Sequence, residues 1–571
     1  MKFKKLYLGL IILIMAVAIF AGIRIAGDTG IAMGNVNMKD MELPDKWQDL
    51  IAESMNQNSI KLVVNGKEIS FSDSSVYLSE NNEIMIPSYL FRDTFKCAFN
   101  IYSDGSIKIQ KSNSIAEINN ENSFYRNGIY QEINNAFQYK NGKLFINSKI
   151  LEDVFEYTYQ WDARNNSLSL NDTRKDENIL PSSYSYRKEG KLPSVKNQKY
   201  YSTCWAFAAL TALETTLMPK EGYEFSVDNM VYNNGYEGSY IKGGDYTRAM
   251  AYLLAWKGPV LEEDDVYGDG YTNLDAKPVK HIQEIQILES KNLESIKRAV
   301  FLYGGVESSL YTDMSNTYES SVYYNESTYS YCYVGTKRPN HDVVIVGWDD
   351  NYSASNFSVK PASDGAFLCL NSWGGEFGDD GLFYVSYYDS NIGVHNVVYT
   401  GAESINNYDN IYQSDLCGWI GQLGYEEDTA YFSNVYEAKG NEEVEAVGFY
   451  ATGKNTSYEV YFVDNFQNED SFSERVKVAS GKFTNSGYYT VKLDEHKIIQ
   501  EGHKYAVVVK ITTPDSVHPV AVEYKAGRDT RNVIIDDGEG YISRSGRSWE
   551  PVESSKSCNV CLKMYTKNIG E

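Results

Sequence analysis

The alternation of hydrophobic and polar positions predicts short strands at both ends of the chain and a mixture of helices and strands in its middle. Over residues 58–172, short apolar runs are separated by turn signals such as Asn65-Gly66. The pattern of residues 85–95 recurs over residues 145–155, and each copy predicts a strand followed by a short helix. We therefore expect a small α+β repeat module in this part of the chain.

Residues 173–400 combine a helical pattern with continuous apolar strands. Residues 204–218 contain strong helix formers and an apolar face, which predicts a helix that begins at Cys204. Residues 343–347 and 366–370 are short, uninterrupted apolar runs, which are typical of buried strands. The middle of the chain is therefore predicted to be an α+β domain.

Residues 401–571 return to a strand pattern, with turns rich in Asn, Gly and Asp. The strands are predicted over residues 445–449, 458–463, 488–493 and 505–511. Several of these runs alternate faces and others are continuously apolar, which favours an antiparallel β-sandwich. The whole chain is thus predicted to be a multidomain α+β protein.

Residues 1–27 have the pattern of a targeting segment. Three lysines among the first five residues precede an uncharged apolar run over residues 6–23, which indicates export. The run is close to the length that spans a bilayer, and no clear small-residue cleavage site follows it. A cleaved signal peptide and a retained membrane anchor therefore both stay open. The polar residues 28–57 predict a linker.

Composition limits the partners that the chain can have. The 571 residues are enough for about two to four domains. The net charge is -24, and no basic block occurs beyond the first five residues. Because binding to phosphate groups needs clustered Lys and Arg, a nucleic-acid partner is excluded. Membrane contact is expected only through the N-terminal segment.

The cysteines and acidic segments predict neither a metal site nor a cofactor. Seven scattered cysteines do not form the pattern of a disulfide scaffold. Cys558 and Cys561 form a lone C-x-x-C in a predicted strand, which would put the thiols on opposite faces, and no second pair completes a zinc site. The acidic segments 262–265 and 536–540 are predicted to be solvated turns, with structural calcium as the alternative.

Cysteine, histidine and asparagine occur in an order that suits thiol acyl transfer. Cys204 begins the predicted helix, where the helix dipole favours a thiolate. His341 enters an apolar strand; as an imidazolium it would lower the thiol pKa and later protonate a leaving amine. Asn371 can orient the imidazole with its side-chain oxygen. Gln198 and the backbone N–H of Cys204 can donate to an oxyanion.

The segments VKNQKYYSTCWAF, NHDVVIVGW and NSWGGEFGDDGLFYVSY make the middle of the chain resemble the papain-like cysteine peptidases of clan CA. The resemblance implies a two-lobed α+β peptidase domain that needs no cofactor. It implies that Cys204 is the nucleophile and His341 the general base and acid. It also implies that Asn371 orients the histidine and that Gln198 belongs to the oxyanion hole.

The same resemblance assigns further residues to substrate binding. Gly243 and Gly244 match the family's glycine pair, whose backbone binds an extended substrate, and Trp373 is expected to shield the bond between histidine and asparagine. Asp342 lies where the family has a small residue in the wall of the second specificity pocket. A preference for a basic or polar substrate side chain and a solvent-facing Asp342 both stay open. Tyr201 replaces a family cysteine, so the usual disulfide to the substrate-binding loop is missing.

Two outer segments resemble other modules. Residues 58–172, through VVNGKEI and EIMIPSYLF, resemble the module named after the N-terminal domain of copper amine oxidases, but no copper ligands are evident. The order of peptidase and sandwich is similar to that of clostridial cell-surface cysteine proteases, whose sandwich is called lectin-like. This similarity implies a bacterial surface protein. The label lectin-like does not itself establish sugar binding, so cell-wall or surface polysaccharide is only a candidate partner of residues 401–571.

The sequence therefore predicts an exported cysteine endopeptidase that hydrolyses peptide bonds of surface or extracellular proteins. It would be secreted or associated with the cell surface. The alternative is a surface adhesion or scaffold protein with a vestigial peptidase domain. A transglutaminase-like acyl transferase uses the same chemistry but normally has Asp in place of Asn371.

Overall fold

The computed structural model describes residues 60–71, 74–101, 105–111, 114–119, 121–126, 129–131, 133, 135–140, 143–173, 180–219, 221–535 and 538–569. The predicted targeting segment, the linker over residues 28–57 and positions 536–537 lie outside these ranges. Among the described residues, no helix has the length and apolar character needed to cross a membrane. Two compact units result: one comprises the described parts of residues 60–87, 139–152 and 157–172, and the other comprises the rest.

The first part of the chain forms small sheets and two short helices. The helices are α1 (Ser88–Asp93) and α2 (Lys149–Asp153). The strands are β1 (Lys61–Val64), β2 (Lys67–Glu68), β3 (Tyr77–Leu78), β4 (Ile84–Pro87), β5 (Ala98–Ile101), β6 (Ile107–Lys111), β7 (Ser114–Ile118), β8 (Phe124–Arg126), β9 (Ile129–Gln131), β10 (Phe137–Lys140), β11 (Lys143–Asn147), β12 (Tyr157–Asp162) and β13 (Ser167–Asp172). Three sheets result, in the orders β12-β13-β1-β2, β10-β11-β4-β3 and β5-β6-β7-β8-β9.

The predicted repeat is present in the structure. In each copy a strand, β4 or β11, is followed by a short helix, α1 or α2. The two strands pair antiparallel with each other, with Ile146 opposite Ile86. Both copies therefore place their buried apolar residues in one sheet.

The central part combines helices with an antiparallel sheet. Its helices are α3 (Tyr186–Glu189), α4 (Cys204–Leu217), α5 (Val227–Asn233), α6 (Tyr246–Leu254) and α7 (Leu293–Leu302). Its strands are β14 (Ser183–Ser185), β15 (Lys280–Ile287), β16 (Val306–Leu310), β17 (Tyr324–Asn325), β18 (Ser330–Tyr331), β19 (His341–Asp349), β20 (Ala366–Leu370), β21 (Leu382–Ser386) and β22 (Asn396–Ser404). The predicted strand over residues 366–370 matches β20, and β22 runs across the predicted domain boundary at residue 400.

Helix α4 is the core element of the central part. It contacts the sheet strands β16, β19 and β22 as well as helices α5 and α6. Nearly all of its side chains are buried, and most of them are apolar, as expected of a helix that lies between two layers. The buried Glu214 is paired with Lys196. The predicted helix over residues 204–218 is confirmed, and its first residue is Cys204. The thiol is thus fixed to the most buried helix of the domain.

The C-terminal part is the predicted antiparallel sandwich, which also contains the short helix α8 (Val552–Lys556). Its strands are β23 (Asn410–Tyr412), β24 (Gly421–Leu423), β25 (Thr429–Glu437), β26 (Glu442–Ala451), β27 (Ser457–Val463), β28 (Val476–Lys482), β29 (Ser486–Ile499), β30 (Lys504–Thr512), β31 (Val520–Tyr524), β32 (Gly540–Ser543), β33 (Glu550–Pro551), β34 (Cys558–Val560) and β35 (Leu562–Asn568). One sheet has the order β28-β27-β30-β25-β32-β33, and the other contains β29-β26-β35-β23.

A single sheet runs from the central part into the sandwich. Strand β15 pairs antiparallel with β22 on one side and with β29 on the other. Gly487 of β29 makes this pairing possible, because a Cβ at that position would lie 2.1 Å from the carbonyl oxygen of Ile285. Backbone hydrogen bonds between β15 and β29 thus connect the central part to the sandwich. The α+β class predicted from the sequence is confirmed.

Candidate active site

The hydrogen bonds of Asn371 determine which nitrogen of the His341 ring carries the proton. The backbone N–H of Ser372 donates to Asn371 Oδ1 over 2.8 Å. Because a backbone N–H can only donate, this contact identifies the side-chain oxygen of the amide. His341 Nε2 lies 2.8 Å from the same oxygen, so Nε2 carries a proton and donates it. In the neutral ring, Nδ1 therefore holds the lone pair and can act as a base.

Trp373 covers the ring of His341. The two rings are stacked with centroids 4.8 Å apart, and the edge of Phe377 packs against Trp373 from another direction. His341, Asn371 and Trp373 are all buried. Water is thus kept from the hydrogen bond between His341 and Asn371, which is the shielding expected of Trp373.

Cys204 lies in the first turn of α4 and is partly exposed. The backbone N–H groups of Asp342, Trp205 and Cys204 itself point to the sulfur and stabilise a thiolate. Burial nevertheless raises the pKa of the Cys204 thiol to about 12, and the negative charge of Asp342 adds to this effect. Desolvation thus outweighs the favourable effect of the helix terminus in the unliganded site, and the further lowering of the thiol pKa by a His341 imidazolium stays a prediction.

The pKa of His341 is lowered, whereas that of the Cys204 thiol is raised. Burial lowers the pKa of its imidazole to about 4, although the bond to Asn371 opposes the shift. Burial thus favours the uncharged form of each group taken by itself. Transfer of the thiol proton to His341 creates an ion pair, and the two groups titrate together.

Gln198 is held with its amide group in one orientation. The hydroxyl of Ser372 donates to Gln198 Oε1 over 2.7 Å, and Gln198 Nε2 donates to the carbonyl oxygen of Tyr201 over 2.7 Å. An amide nitrogen carries two protons, so the second N–H of Gln198 is left to donate to a substrate. The side chain is buried and is therefore pre-oriented.

The two glycines lie beside the thiol-bearing helix. Gly243 has a positive φ of 71°, which favours glycine. At Gly244 a Cβ would come within 2.5 Å of the Trp205 ring, so a side chain cannot be accommodated. The backbone at Gly244 is exposed, which leaves its peptide groups accessible to an extended chain.

Asp342 belongs to a group of acidic residues next to the thiol. It follows His341 in β19 and lies opposite Ser309 of β16. Burial raises the pKa of Asp342 to about 6, and the neighbouring charge of Asp245 contributes. Glu307, on the same strand as Ser309, is buried, and the hydroxyl of Tyr399 donates to it over 2.7 Å. Asp245, Asp342 and Glu307 thus lie close enough for their charges to influence one another.

The acidic segment over residues 262–265 makes internal hydrogen bonds. Asp265 accepts from the backbone N–H of Asn273 and from the side chain of Asn229, each over 2.9 Å. Glu262 accepts from the backbone N–H of Tyr267 over 2.9 Å. These contacts account for the turn, and the calcium alternative stays a prediction.

Among the described residues, one group of three side chains has the spacing of metal ligands. It consists of Glu443, Glu445 and His496, whose ligand atoms all lie within 4.8 Å of one another. His496 Nδ1 is 3.1 Å from a Glu443 oxygen, which accounts for their proximity without an ion. The group lies on the sandwich strands β26 and β29.

Two residues of the site were not predicted. Ser372 orients both Asn371 and Gln198, and its position directly after Asn371 was the only signal for this role. Asp245 follows the glycine pair and acts on the pKa of Asp342 across the groove. Its position beside Gly244 could have indicated its proximity to substrate.

Family models match three parts of the chain. Residues 63–170 match the copper amine oxidase N-terminal domain, residues 180–402 match the papain family cysteine protease, and residues 411–566 match the lectin like domain. These are the three modules that the sequence resembles.

Two curated relatives each match less than half of the chain. Mouse cathepsin K is 28% identical over 241 residues, which is 39% of this chain and 61% of the relative. Human cathepsin L2 is 27% identical over 215 residues, which is 36% of this chain and 61% of the relative. The chain thus spans about three-fifths of the length of these relatives.

Two solved structures are similar over a longer stretch. The clostridial cysteine protease Cwp84 after propeptide cleavage is 28% identical, covers 68% of this chain and 99% of its own, and has a TM-score of 0.60. The cysteine protease and lectin-like domains of Cwp84, described as a surface layer associated protein of Clostridium difficile, are 27% identical with a TM-score of 0.59. That match covers 68% of this chain and 90% of the other. The chain therefore matches the papain family cysteine protease between a match to the copper amine oxidase N-terminal domain and a match to the lectin like domain, in agreement with the resemblances found in the sequence.

Proposed function

We propose that the protein is an exported cysteine endopeptidase that hydrolyses peptide bonds through Cys204, His341 and Asn371. The observation that carries the proposal is the fixed amide of Asn371. It makes His341 Nε2 a donor and leaves Nδ1 as the base of the neutral ring. A vestigial peptidase would not need to keep this tautomer, and it would not need the pre-oriented Gln198 amide.

The reaction begins with proton transfer from the Cys204 thiol to His341 Nδ1. The sulfur then attacks the carbonyl carbon of the peptide, and the carbon–oxygen double bond becomes a C–O⁻ single bond. The His341 imidazolium donates its proton to the leaving amine as the C–N bond breaks. A thioester remains, and His341 takes a proton from the water that hydrolyses it. The carboxylic acid product leaves and the thiol is restored.

Two donors are available for the oxyanion. One is the second N–H of Gln198, since the first is bonded to Tyr201. The other is the backbone N–H of Cys204 at the start of α4, where helix N–H groups lack partners within the helix. Donors that are already in place stabilise the charge as it develops, with little reorganisation.

We propose that the substrate carries Lys or Arg in the second specificity pocket. If Gly243 and Gly244 bind the substrate backbone, the side chain that enters this pocket lies between Asp245 and Asp342. An ionised carboxylate in a partly buried wall attracts a cation and disfavours an acidic side chain. Asp342 thus selects the substrate and does not take part in the chemistry.

This preference should depend on pH. Because the pKa of Asp342 is raised to about 6, its carboxyl is neutral at pH 5 and charged at pH 7. We expect the ratio of kcat/KM for Arg over Leu at this substrate position to rise about tenfold between these pH values, which corresponds to about 1.4 kcal/mol. Fluorogenic peptides that differ only at that position measure the ratio.

The matched control for the pH experiment is Asp342→Asn, which keeps the shape and removes the charge. Its ratio should be low and independent of pH. A wild-type ratio that does not change with pH, or a preference for Leu at pH 7, would contradict the assignment of Asp342 to this pocket.

The proposed function is tested with residues 28–571 under reducing conditions. The protein is incubated with a broad peptide library, and cleavage is followed by mass spectrometry with and without a thiol-directed epoxide. Cleavage that the epoxide abolishes, with the label on Cys204, supports the proposal. Absence of cleavage together with an unreactive Cys204 would instead favour the scaffold alternative.

We further propose that the protein acts at the cell surface and that the lectin like domain binds surface polysaccharide. The sandwich contains an open cavity of about 570 Å³, whose lining includes Tyr412, Gln413, Lys439 and Glu501. Side chains that donate and accept hydrogen bonds suit the hydroxyls of sugars. Binding of residues 401–571, within the full chain, to isolated cell-wall polysaccharide tests this partner.

A further inference from the structure

The loop that leads to the glycine pair lacks the disulfide of the family. This loop, residues 234–245, is called the substrate loop below. On its inner side, the backbone N–H of Ser202 donates to Tyr240 O over 2.7 Å. The rings of Tyr201 and Tyr240 also pack together with centroids 4.5 Å apart. Tyr201 stands at the position of the missing cysteine, so an aromatic contact replaces a covalent one.

On its outer side, the substrate loop is bound by the sandwich. The backbone N–H of Glu237 donates to the carbonyl oxygen of Asp529 over 2.9 Å. The carboxylate of Asp529 contacts Lys242 at 2.6 Å and Arg248 at 2.8 Å. One residue of the sandwich thus makes three contacts with the loop and with the helix that follows it.

Further contacts surround this centre. The carboxylate of Glu237 lies 3.3 Å from Arg528 and 3.2 Å from Arg531. The hydroxyl of Tyr236 donates to the carbonyl oxygen of Cys417 over 2.8 Å. At Gly235, a Cβ would lie 3.1 Å from the carbonyl oxygen of Leu416, so the backbones approach closely. Two segments of the sandwich, residues 416–417 and residues 528–531, therefore contact the same loop.

One member of the network, Arg248, differs from the members of an ordinary surface ion pair in its burial, whereas its partner Asp529 is 45% exposed. The side chain of Arg248 is only 9% exposed, and its guanidinium also lies 5.2 Å from the centroid of the Tyr236 ring. A buried guanidinium needs its partner, since removal of Asp529 leaves a charge that water reaches poorly. An isolated exposed pair would contribute little to the geometry of the loop.

We infer that the sandwich positions the substrate loop of the peptidase and that Asp529 is the positioning residue. The inference rests on the proposed peptidase function for its kinetic readout, but the order of the loop can be measured without activity. The sandwich takes over the restraint that a disulfide provides elsewhere in the family. Asp529 does not touch the reacting atoms and acts through Lys242, Arg248 and the backbone of Glu237.

The test replaces Asp529 with alanine in the full chain. Because the loop carries the backbone groups that bind substrate, we expect KM to rise about tenfold while kcat stays within about threefold. Amide hydrogen exchange over residues 236–245 should become faster, and this readout does not need an active enzyme. A merely structural role for Asp529 would lower the active fraction in an epoxide titration and would leave KM unchanged.

The matched control is Lys454→Ala. Lys454 pairs with Glu289 at 2.5 Å, which is also an ion pair between the sandwich and the central part, but it lies away from the substrate loop. We expect its KM and its exchange over residues 236–245 to match the wild type. An equal effect of both substitutions, or no effect of Asp529→Ala on KM and exchange, would overturn the inference.

Two other results are possible: Asp529→Ala does not fold, or the wild type does not hydrolyse peptides. If Asp529→Ala does not fold, Lys242→Ala removes the ion pairs of Lys242 with Asp529 and Glu237. It leaves no deeply buried charge, since the Asp529 side chain is 45% exposed. Its KM should rise about threefold, and an unchanged KM and exchange would then overturn the inference. If the wild type hydrolyses no peptide, the proposed function fails, and the exchange data alone decide whether Asp529 orders the loop.

Discussion

Cys204→Ala is expected to lower kcat for peptide hydrolysis at least about a thousandfold, because the variant has no atom that can form the thioester. Residual turnover would come from the oxyanion donors and from substrate binding alone. The position is in the first turn of α4 and partly exposed, so an alanine there fits the helix. The measurement is kcat and KM on the best peptide found in the library experiment.

The control for the thiol is Cys332→Ala, which removes a buried free cysteine from the same domain. This variant should keep the wild-type kcat and the epoxide label on Cys204. If Cys204→Ala hydrolyses peptides at the wild-type rate, the proposed mechanism is wrong, whatever the fate of the label.

Gln198→Ala should have the second largest effect, a decrease in kcat of about a hundredfold to a thousandfold with little change in KM. Loss of one oxyanion donor costs about 2.7–4 kcal/mol in the transition state and little in the ground state. Only the second N–H of Gln198 is available for this role, because Tyr201 takes the first.

A second substitution separates donation from packing. Gln198→Glu keeps the size of the side chain and can still accept the hydroxyl of Ser372, but it has no N–H to donate. We expect its kcat to be as low as that of Gln198→Ala. If Gln198→Glu were fully active, Gln198 would have a structural role only, and Cys204 N–H would have to act with another donor.

The residues that we propose for catalysis could be selected from the sequence because each of them lies in a local pattern. Cys204 begins a clear helical run, His341 begins an apolar strand, and Asn371 follows another. In each case the chain direction and the element type decide where the side chain projects. The role of Ser372 needed the structure, since it depends on a hydrogen bond to a residue 174 positions away.

The pKa of the thiol could not be predicted from the same pattern. The sequence indicates a helix start and a histidine, which both favour the thiolate of Cys204. It does not indicate how deeply the pocket buries the sulfur, or that Asp342 lies beside it. Desolvation depends on the packing of several segments, and the sequence of one segment does not contain that information.

The contacts of the substrate loop lie beyond sequence reasoning for a different reason. Arg248 and Asp529 are 281 residues apart, and each is an ordinary charged residue in its own segment. Their pairing follows from the way in which the sandwich docks, which depends on the join between β15 and β29. The individual domains were predictable, whereas the register between them was not.

The pairing of β15 with β29 also makes the sandwich difficult to replace by another C-terminal domain. A peptidase released by truncation after residue 404 would expose the edge of β15 over Glu284–Ile287, where β29 now pairs. Unprotected strand edges recruit other strands, so such a fragment should aggregate instead of remaining monomeric. A different C-terminal module would have to supply a strand that pairs with β15 in the same way. We therefore expect the two domains to be inherited together.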